Sequence, residues 1–593
     1  MANNYFLIES SWEVCNKVGG IYTVITSKAP HMVKQCGEDF LFVGPYFEDK
    51  ARSELQEEKP KGAIAKAIKV LQEQGLQAHY GTWLTEAEPK AVLIDFSPWR
   101  NRADDIKKTL WEKFGVDSLG APDDFNEPIV WAWAVAQFAH QLQQALGETM
   151  ILHTHEWLTG VAILACKASN AAVKTVFTTH ATMLGRAMAG SDADLYGEIN
   201  TIDPEQAATK YQVKAKWSLE RACAQHATVM TTVSEVTGRE VERFLGRPVD
   251  QYLPNGLSLA TYPTFEDSSI HHARLRDQMR EFLLYYFFPY YTFNPAETLF
   301  YFMAARYEFH NKGIDMMIDS LAQLNTRMKE SGHRKTIVAF FYVPTAVGPV
   351  RPELADSKLL FLDIKDYIVD AKHDITSNLI YGVMSGESIN EKTLIRQDIR
   401  QQLKKNLQKM HHGGMPPLST HDILDPNDPI MRHLHEVGLD NKADDKVKVI
   451  FYPIYLSGAD GLLNLTYNQC IQASHLGVFP SYYEPWGYTP LEAAALGVGA
   501  VTSDLSGFGK YLQSNKLGST GTSDMPGVAV MKRDNVRYEQ GVEELTDYMF
   551  TYANYTREDR VKNKIQARRI AEQADWADFV KFYFMAYEKA LKK

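Results

Sequence analysis

The chain has 593 residues, of which 45% are hydrophobic and 23% charged, with a net charge of −10. That length gives room for two to four domains of roughly 100–200 residues, with ample core material. The charge is spread without a long single-sign block, which argues against a polyanion such as nucleic acid as the main partner but leaves room for a local basic pocket.

The N-terminus, "MANNYFLIESSWEV", has no basic segment followed by a long apolar run, so a secretory leader is not expected. The first strand is expected in "YFLIESS". "EVCNKVGGIYTV" follows, with Lys17 and the pair Gly19-Gly20, and glycines there let a backbone approach a ligand closely. Further strand-plus-loop candidates are "DFLFVGPY", "AVLIDFS", "MILHTHEW", "KTVFTTHAT", "ATVMTTVS" and "VDQYLPNGL". Between them lie stretches such as "NEPIVWAWAVAQFAHQLQQAL", with apolar residues at helical spacing. "LHTHEWLTG" groups His153, His155 and Glu156. H-x-H-E can ligate a metal, but the sequence offers no third ligand cluster, and no metal is expected. "FTTHATMLGR" puts His180 at a strand end, six residues before Arg186.

"REFLLYYFFPYYTF" is the most apolar stretch. It is too short to span a bilayer and contains a proline, so no membrane partner is expected. The alternation then restarts with "TLFYFMAARYE", "KTIVAFFYV", "VKVIFYPIYL", "LGVFPS" and "GVGAVTSD". Strands alternating with helices predict two parallel α/β domains in tandem. Ligands then bind beyond the carboxyl ends of the strands, in the cleft between the domains. In "ARYEFHNKG", Arg306 ends a strand and Lys312 follows at the start of a helical pattern. Two cations there can neutralise a diphosphate leaving group without a metal.

About a hundred residues separate "TIVAFFYV" from "VKVIFYP", where an ordinary crossover needs ~30. Leu360, Ile364, Tyr367, Ala371 and Ile375 form one helical stripe in this interval. Leu394, Ile399, Leu403, Leu407 and Met410 form another. Such stripes need a partner, either their own domain or a second subunit, and a subunit interface is expected.

"PSYYEPWGYTPLEAAALGV" spans residues 480–498. Thr489 as N-cap, Pro490 at the first helical position and Glu492 two further on read as a capping box. Glu484 stands before the turn, at a strand end. The amides of Gly487, Tyr488 and Thr489 can receive a phosphate at the helix N-terminus. A phosphate with a carboxylate on either side for hydroxyl groups describes a nucleotide-sugar. Tyr483 and Trp486 of the same loop join the donor-binding set. The five cysteines form no C-x-x-C pair and no zinc spacing, so they read as reduced thiols in a cytoplasmic protein.

"NKVGGIYTVI", "HEWLTG", "FTTHATMLGR", "LPNGL", "RYEFHNKGID", "MPPLSTH" and "HLGVFPSYYEPWGYTP" occur in this order over nearly the whole chain. Together they resemble the glycogen synthases of the animal and fungal type. The Glu-x7-Glu pair is shared more broadly by retaining glycosyltransferases. The resemblance implies two Rossmann-like domains facing a cleft (GT-B), with a helical insertion near 345–445 that mediates tetramer assembly. The first domain would cover 1–256, completed by a C-terminal helix at 565–593, and the second 257–564. It implies transfer of glucose, with retention, from UDP-glucose to the 4-OH at a non-reducing end of glycogen or another α-glucan, with no cofactor. By the same resemblance Arg306 and Lys312 hold the diphosphate, Glu484 contacts the donor glucose and Glu492 the ribose. Tyr467 stacks on the base, and His180, Arg186, Asn255 and Glu156 contact glucose or phosphate. Lys17 stands where that family commonly carries arginine, and lysine lacks the planar fork for a bidentate phosphate contact.

Alternatives on the same fold are a transferase using ADP-glucose and a phosphorylase with a Schiff-base lysine. A non-catalytic glycogen scaffold is disfavoured by the intact set of cations and carboxylates. Relatives are regulated by phosphorylation of terminal tails and by glucose-6-phosphate at an arginine-rich helix. No tail is expected here. The matching helix, "TREDRVKNKIQARRIAEQADW", carries Arg557, Arg560, Lys564, Arg568 and Arg569, interrupted by Glu558, Asp559 and Gln566. Acidic neighbours weaken a local potential, so weak or absent activation is expected.

Overall fold

The computed structural model describes residues 5–517 and 525–593. In the first half the strands are β1 (Phe6–Ser10), β2 (Phe40–Pro45), β3 (Leu55–Glu57), β4 (Gln77–Trp83), β5 (Lys90–Asp95), β6 (Met150–His155), β7 (Lys174–Thr179), β8 (Val229–Thr232) and β9 (Gln251–Tyr252). They form one sheet in the order β3-β4-β5-β2-β1-β6-β7-β8-β9. All seven strands expected from apolar runs are present. The edge strand β3 and its neighbour β4 were not foreseen. They pair antiparallel and are half-exposed and polar, so they lack the apolar run that marks a buried strand.

The second half begins with β10 (Thr298–Ala304) and β11 (Thr336–Tyr342). A small antiparallel ribbon follows, β12 (Val347–Val350) with β13 (His421–Ile423). β14 (Val447–Phe451), β15 (Leu476–Phe479), β16 (Gly499–Ser503) and β17 (Val528–Met531) complete a parallel sheet ordered β14-β11-β10-β15-β16-β17. β10 reads "TLFYFMA" and is buried along its whole length. A central parallel strand covered by helices on both faces requires such a continuous apolar run. Each large side chain buried there contributes about 1.5–3 kcal/mol.

The strand order reverses direction at β1/β6 in the first sheet and at β10/β15 in the second. Those switch points open the crevices in which α/β sheets bind ligands. The segments after β1, β6, β10 and β15 carry Gly19, Glu156 (the first residue of the helix Glu156–Ala168), Arg306 and Glu484 in turn.

The helices Pro352–Asp370, Lys372–Ser385 and Gln397–Met410 fill the long interval between β11 and β14. Their stripes divide. Leu360 and Ile364 pack on the second domain's own core, and Ala371 and Met410 are buried. Tyr367 and Leu407 are exposed, together with Ile380, Tyr381, Val383 and Met384. Only part of the expected interface therefore remains for a partner.

The last helix, Trp576–Lys592, packs against β7, β8, β9 and the helix Gly20–Cys36 of the first domain. The return starts later than residue 565. The preceding helix, Arg557–Glu572, stays with the second sheet, where Ala567 backs directly onto Gly527. A Cβ on Gly527 would lie 2.3 Å from the Ala567 nitrogen, and its φ is +73°. Only glycine allows that approach.

Candidate active site

A cleft of about 750 Å³ lies between the two sheets. It brings together Gly19, Gly20, Glu156, His180, Arg186 and Asn255 from the first domain. Arg306, Lys312, Glu484, Trp486, Gly487 and Thr489 face them from the second. Lys17, Tyr467, Tyr483 and Glu492 are not among the lining residues.

The cations sit where the sequence puts them, and each has a carboxylate partner. Lys312 Nζ lies 2.6 Å from Glu484 Oε2, and Arg306 Nη2 lies 2.9 Å from Glu308 Oε1. The Lys312 side chain is 10% exposed and that of Arg306 76%, so one is fixed and the other free to reorient. Gly313 holds the turn after Lys312 with a φ of +68°, and a Cβ there would lie 2.1 Å from the Pro480 carbonyl oxygen. The amides of Tyr482 and Tyr483 donate to the Asn311 carbonyl at 2.9 and 3.1 Å. These contacts tie the β10 and β15 loops together, so Lys312 and Glu484 meet.

The helix after Glu484 runs from Tyr488 to Ala495, and its N-cap is Gly487 at φ +105°. Thr489 lies within the first turn and makes no capping bond, so the expected capping box does not form. The helix starts early because Gly507 N–H, Phe508 N–H and the Ser506 hydroxyl hold the Glu484 and Trp486 carbonyls at 2.7–2.9 Å. Glu492 instead accepts a hydrogen bond from the Tyr467 hydroxyl at 2.7 Å, and burial pushes its pKa up. Tyr467 and Glu492 thus form a half-buried pair outside the lining of the cleft. With capping excluded, Glu492→Gln should leave thermal stability nearly unchanged. It should raise the donor KM, because an amide binds a diol less well than a carboxylate. A lowered melting temperature with an unmoved KM would assign the residue to the fold alone.

Tyr483 points away from the cleft. Its ring is in the first domain's core, and its hydroxyl lies 3.5 Å from Glu240 Oε2. Trp486 is wedged among Phe508, Tyr511 and Phe579 and anchors the loop. Lys17 is exposed, with its ammonium over the Tyr22 ring. The Gly19-Gly20 turn closes on Glu13, whose Oε2 accepts from the amides of Gly19 and Tyr22 at 2.7 and 2.9 Å. A carboxylate thus occupies the N-terminus of the helix Gly20–Cys36, a position favourable to anions.

On the opposite wall, Glu156 has a φ of +66°, uncommon outside glycine. That turn aims its carboxylate at the His180 and Ala181 amides, at 2.8 and 3.3 Å. Burial pushes its pKa up, opposed by Arg186. Asn255 Oδ1 is buried without a protein partner, an acceptor available to a ligand.

The loop carrying His180 is braced by two buried carboxyl groups. Glu220 accepts from the Thr179 hydroxyl at 2.6 Å and the Met183 amide at 2.9 Å. Glu240 accepts from the Thr182 and Tyr196 hydroxyls at 2.6 and 3.0 Å. Burial pushes Glu220 up to about 8 and Glu240 up to about 7. Between their unfolded values and these, the native state binds more protons than the unfolded chain, so stability falls as pH rises. Each unit of pH there is worth up to about 1.4 kcal/mol per carboxyl. Thermal unfolding should therefore show a lower melting temperature at pH 8 than at pH 5. Glu220→Gln should flatten that slope; an unchanged slope would remove Glu220 from the account.

His153 is fully buried, bonded to Thr178 and Tyr587 at 2.7 and 3.0 Å. Its ligand atoms lie within 4.8 Å of those of Glu9 and His155, a grouping that can hold a metal ion and that sequence spacing did not disclose. The cluster's charge is already balanced, because Lys28 Nζ sits 2.7 Å from Glu9 Oε1.

A second cavity of about 710 Å³ lies on the far side of the second domain. Arg557, Arg560 and Lys564 line it with Arg276, Arg280, Lys335, His272 and His475. The acidic neighbours do not dilute this cluster. Glu558 pairs with Lys562 at 2.7 Å, and Asp559 bonds Thr556 at the helix start. Arg568 and Arg569 are not part of it: Arg568 donates to the Ala495 carbonyl and Arg569 is exposed. Burial and the neighbouring Lys564 and Arg276 push His272 down to about 3. Burial also takes Arg276 down to about 10 and lowers Lys564. This cavity is short of negative charge.

The family model described as "Glycogen synthase" matches residues 9–593. The glycogen [starch] synthase of Neurospora crassa is 34% identical over 601 residues, covering 100% of this chain and 84% of that protein. The glycogen [starch] synthase of mouse liver is 32% identical over 590 residues, covering 99% and 83%. Among solved structures, the catalytic domain of Starch Synthase IV from Arabidopsis thaliana, bound to ADP and acarbose, aligns over 100% of both chains. Its TM-score is 0.50 at 14% identity, a likeness of fold, and the architecture is GT-B. Two facing sheets, the cleft and a family match over nearly the whole length agree: this chain belongs to the glycogen synthase family.

Proposed function

We propose that this glycosyltransferase moves glucose, with retention, from UDP-glucose to the non-reducing 4-OH of glycogen or a related α-glucan. The observation that carries the reading is the convergence of Arg306, Lys312 and Glu484 beside the N-terminus of the helix Tyr488–Ala495. In that frame the diphosphate binds between the two cations and the helix amides, while Glu484, Asn255 and Glu156 receive the sugar hydroxyls. As the glycosidic phosphate departs, Arg306 and Lys312 stabilise its charge. The departing oxygen takes the acceptor's proton on the same face, so no separate general base is required. A radiolabelled-glucose transfer assay on a glycogen primer, comparing UDP-glucose with ADP-glucose, tests both the reaction and the nucleotide. No transfer from either donor would overturn the reading.

The basic cavity is proposed as a site for an anionic effector such as glucose-6-phosphate. The exposed apolar residues on the helices Pro352–Asp370 and Lys372–Ser385 support a homotetramer. Light scattering at micromolar concentration should give a mass near four times 67.2 kDa, and a clean monomer would overturn the assembly. The proposed location is the cytoplasm. Among the described residues no helix is long and apolar enough to cross a membrane.

A further inference from the structure

Behind His180, on the side away from the cleft, a buried chain of hydrogen bonds joins four parts of the first domain. Lys28 Nζ donates to Glu9 Oε1 at 2.7 Å, and His155 Nε2 lies 2.8 Å from the same oxygen. His155 Nδ1 lies 2.9 Å from His180 Nε2. Lys28 and Glu9 are 0% exposed, His155 1% and His180 8%. His180 is the member that lines the cleft.

The direction of each bond follows from chemistry. A carboxylate only accepts, so the proton between Glu9 and His155 sits on His155 Nε2. Burial would push the Glu9 carboxyl up, but the Lys28 ammonium and the His155 bond outweigh it and keep it ionised. A second proton on His155 would put two cations against one carboxylate in a site closed to water. Burial lowers the pKa of both imidazoles. The charged and titratable groups around the two rings include Glu9, Glu13, Lys28, His153 and Arg186, with the Glu156 carboxylate on the His180 amide. Burial and Lys28 lower both rings' pKa values, and Arg186 that of His180, against the pull of Glu9 and Glu13, and the geometry has room for one proton on His155, the one shared with Glu9. His155 Nδ1 is then bare and accepts, and His180 Nε2 carries the proton and donates. Among the described residues nothing bonds His180 Nδ1.

We infer that Glu9, held by Lys28, acts through His155 to lock His180 in its Nε2–H tautomer, so that the Nδ1 lone pair is left as an acceptor for a donor-sugar hydroxyl. Glu9, Lys28 and His155 are positioning residues, and the inference rests on the nucleotide-sugar reading only for the identity of that hydroxyl. Locked this way, His180 cannot act as an acid in the cleft. It discriminates against a ligand lacking the hydroxyl by leaving a polar atom unpaired.

The tautomer can be read directly on the full chain labelled with 15N-histidine, with the His180 signal assigned by its loss in His180→Gln. The expected spectrum shows a protonated Nε2 and a bare Nδ1, unchanged from pH 6 to pH 8. An Nδ1–H or doubly protonated His180 would overturn the inference, whatever donor the enzyme uses. Kinetics give a second arm. His155→Leu should lower kcat/KM by about tenfold to a hundredfold, the cost of an unmade buried hydrogen bond. His155→Gln, whose amide still donates to Glu9 and accepts from His180, should recover to within about threefold of the parent. In a His180→Ala background the cost of His155→Leu should vanish. A cost of equal size in that background, or a His155→Gln as poor as His155→Leu, would show that His155 serves packing alone.

Discussion

Replacing Lys312 or Arg306 by alanine lowers the transfer rate by about 10²–10³, the usual cost of losing a preorganised group aimed at developing charge. The two variants should differ in what accompanies that loss. Arg306 is largely exposed and, among the described residues, pairs with Glu308 alone, so Arg306→Ala should leave stability almost untouched. Lys312 is nearly enclosed, and its removal leaves Glu484 without its partner at 2.6 Å. An unpaired, partly buried carboxylate costs about 1–3 kcal/mol, so Lys312→Ala should also lower the melting temperature. Changing Glu484 to glutamine in the same chain should restore the melting temperature but not the rate. Since the two cations supply the charge stabilisation, EDTA should have little effect. A rate within threefold of the parent in both alanine variants would sink this mechanism. So would an EDTA-sensitive activity restored by a divalent ion.

Millimolar glucose-6-phosphate should raise the initial rate at sub-saturating donor by tenfold or more, contrary to the expectation drawn from the helix sequence alone. Arg560 and Lys564 from one helix face Arg276 and Arg280 from another across the second cavity. Asp277 pairs with Arg280 at 2.7 Å, and Glu297 is the remaining acid among the lining residues. Crowded, partly buried cations repel one another: burial first, and then the neighbouring cations, lower the pKa values of Arg276 and Lys564. A phosphate relieves that repulsion and gains charge-assisted hydrogen bonds. Arg560→Ala and Lys564→Ala should abolish the activation and leave the unstimulated rate near that of the parent. Arg569→Ala, outside the cavity, should keep it. Activation that survives Arg560→Ala and Lys564→Ala, or is lost only in Arg569→Ala, would move the effector elsewhere.

The sequence by itself determined the strands that are buried, because a run such as "TLFYFMA" can satisfy its backbone and side chains only inside a covered parallel sheet. It also determined that Arg306, Glu484 and His180 follow strand ends and that Lys312 opens the next helical pattern, since those positions follow directly from the strands. Local spacing failed where a distant segment decided the outcome. Thr489 and Glu492 have the spacing of a capping box, but contacts from Ser506, Gly507 and Phe508 start the helix at Tyr488 and release Glu492 to Tyr467. Tyr483 neighbours Glu484 in sequence yet points into the other domain's core, because the loop must fill both sides of the junction. The helix bearing Arg560 and Lys564 looks diluted by acids until folding turns those acids outward and brings Arg276 opposite. Glu9, 146 residues before His155, has no signature in one dimension. Periodicity reports what a residue's neighbours along the chain require, whereas charge pairing in a closed interior depends on which groups the topology brings within hydrogen-bond reach.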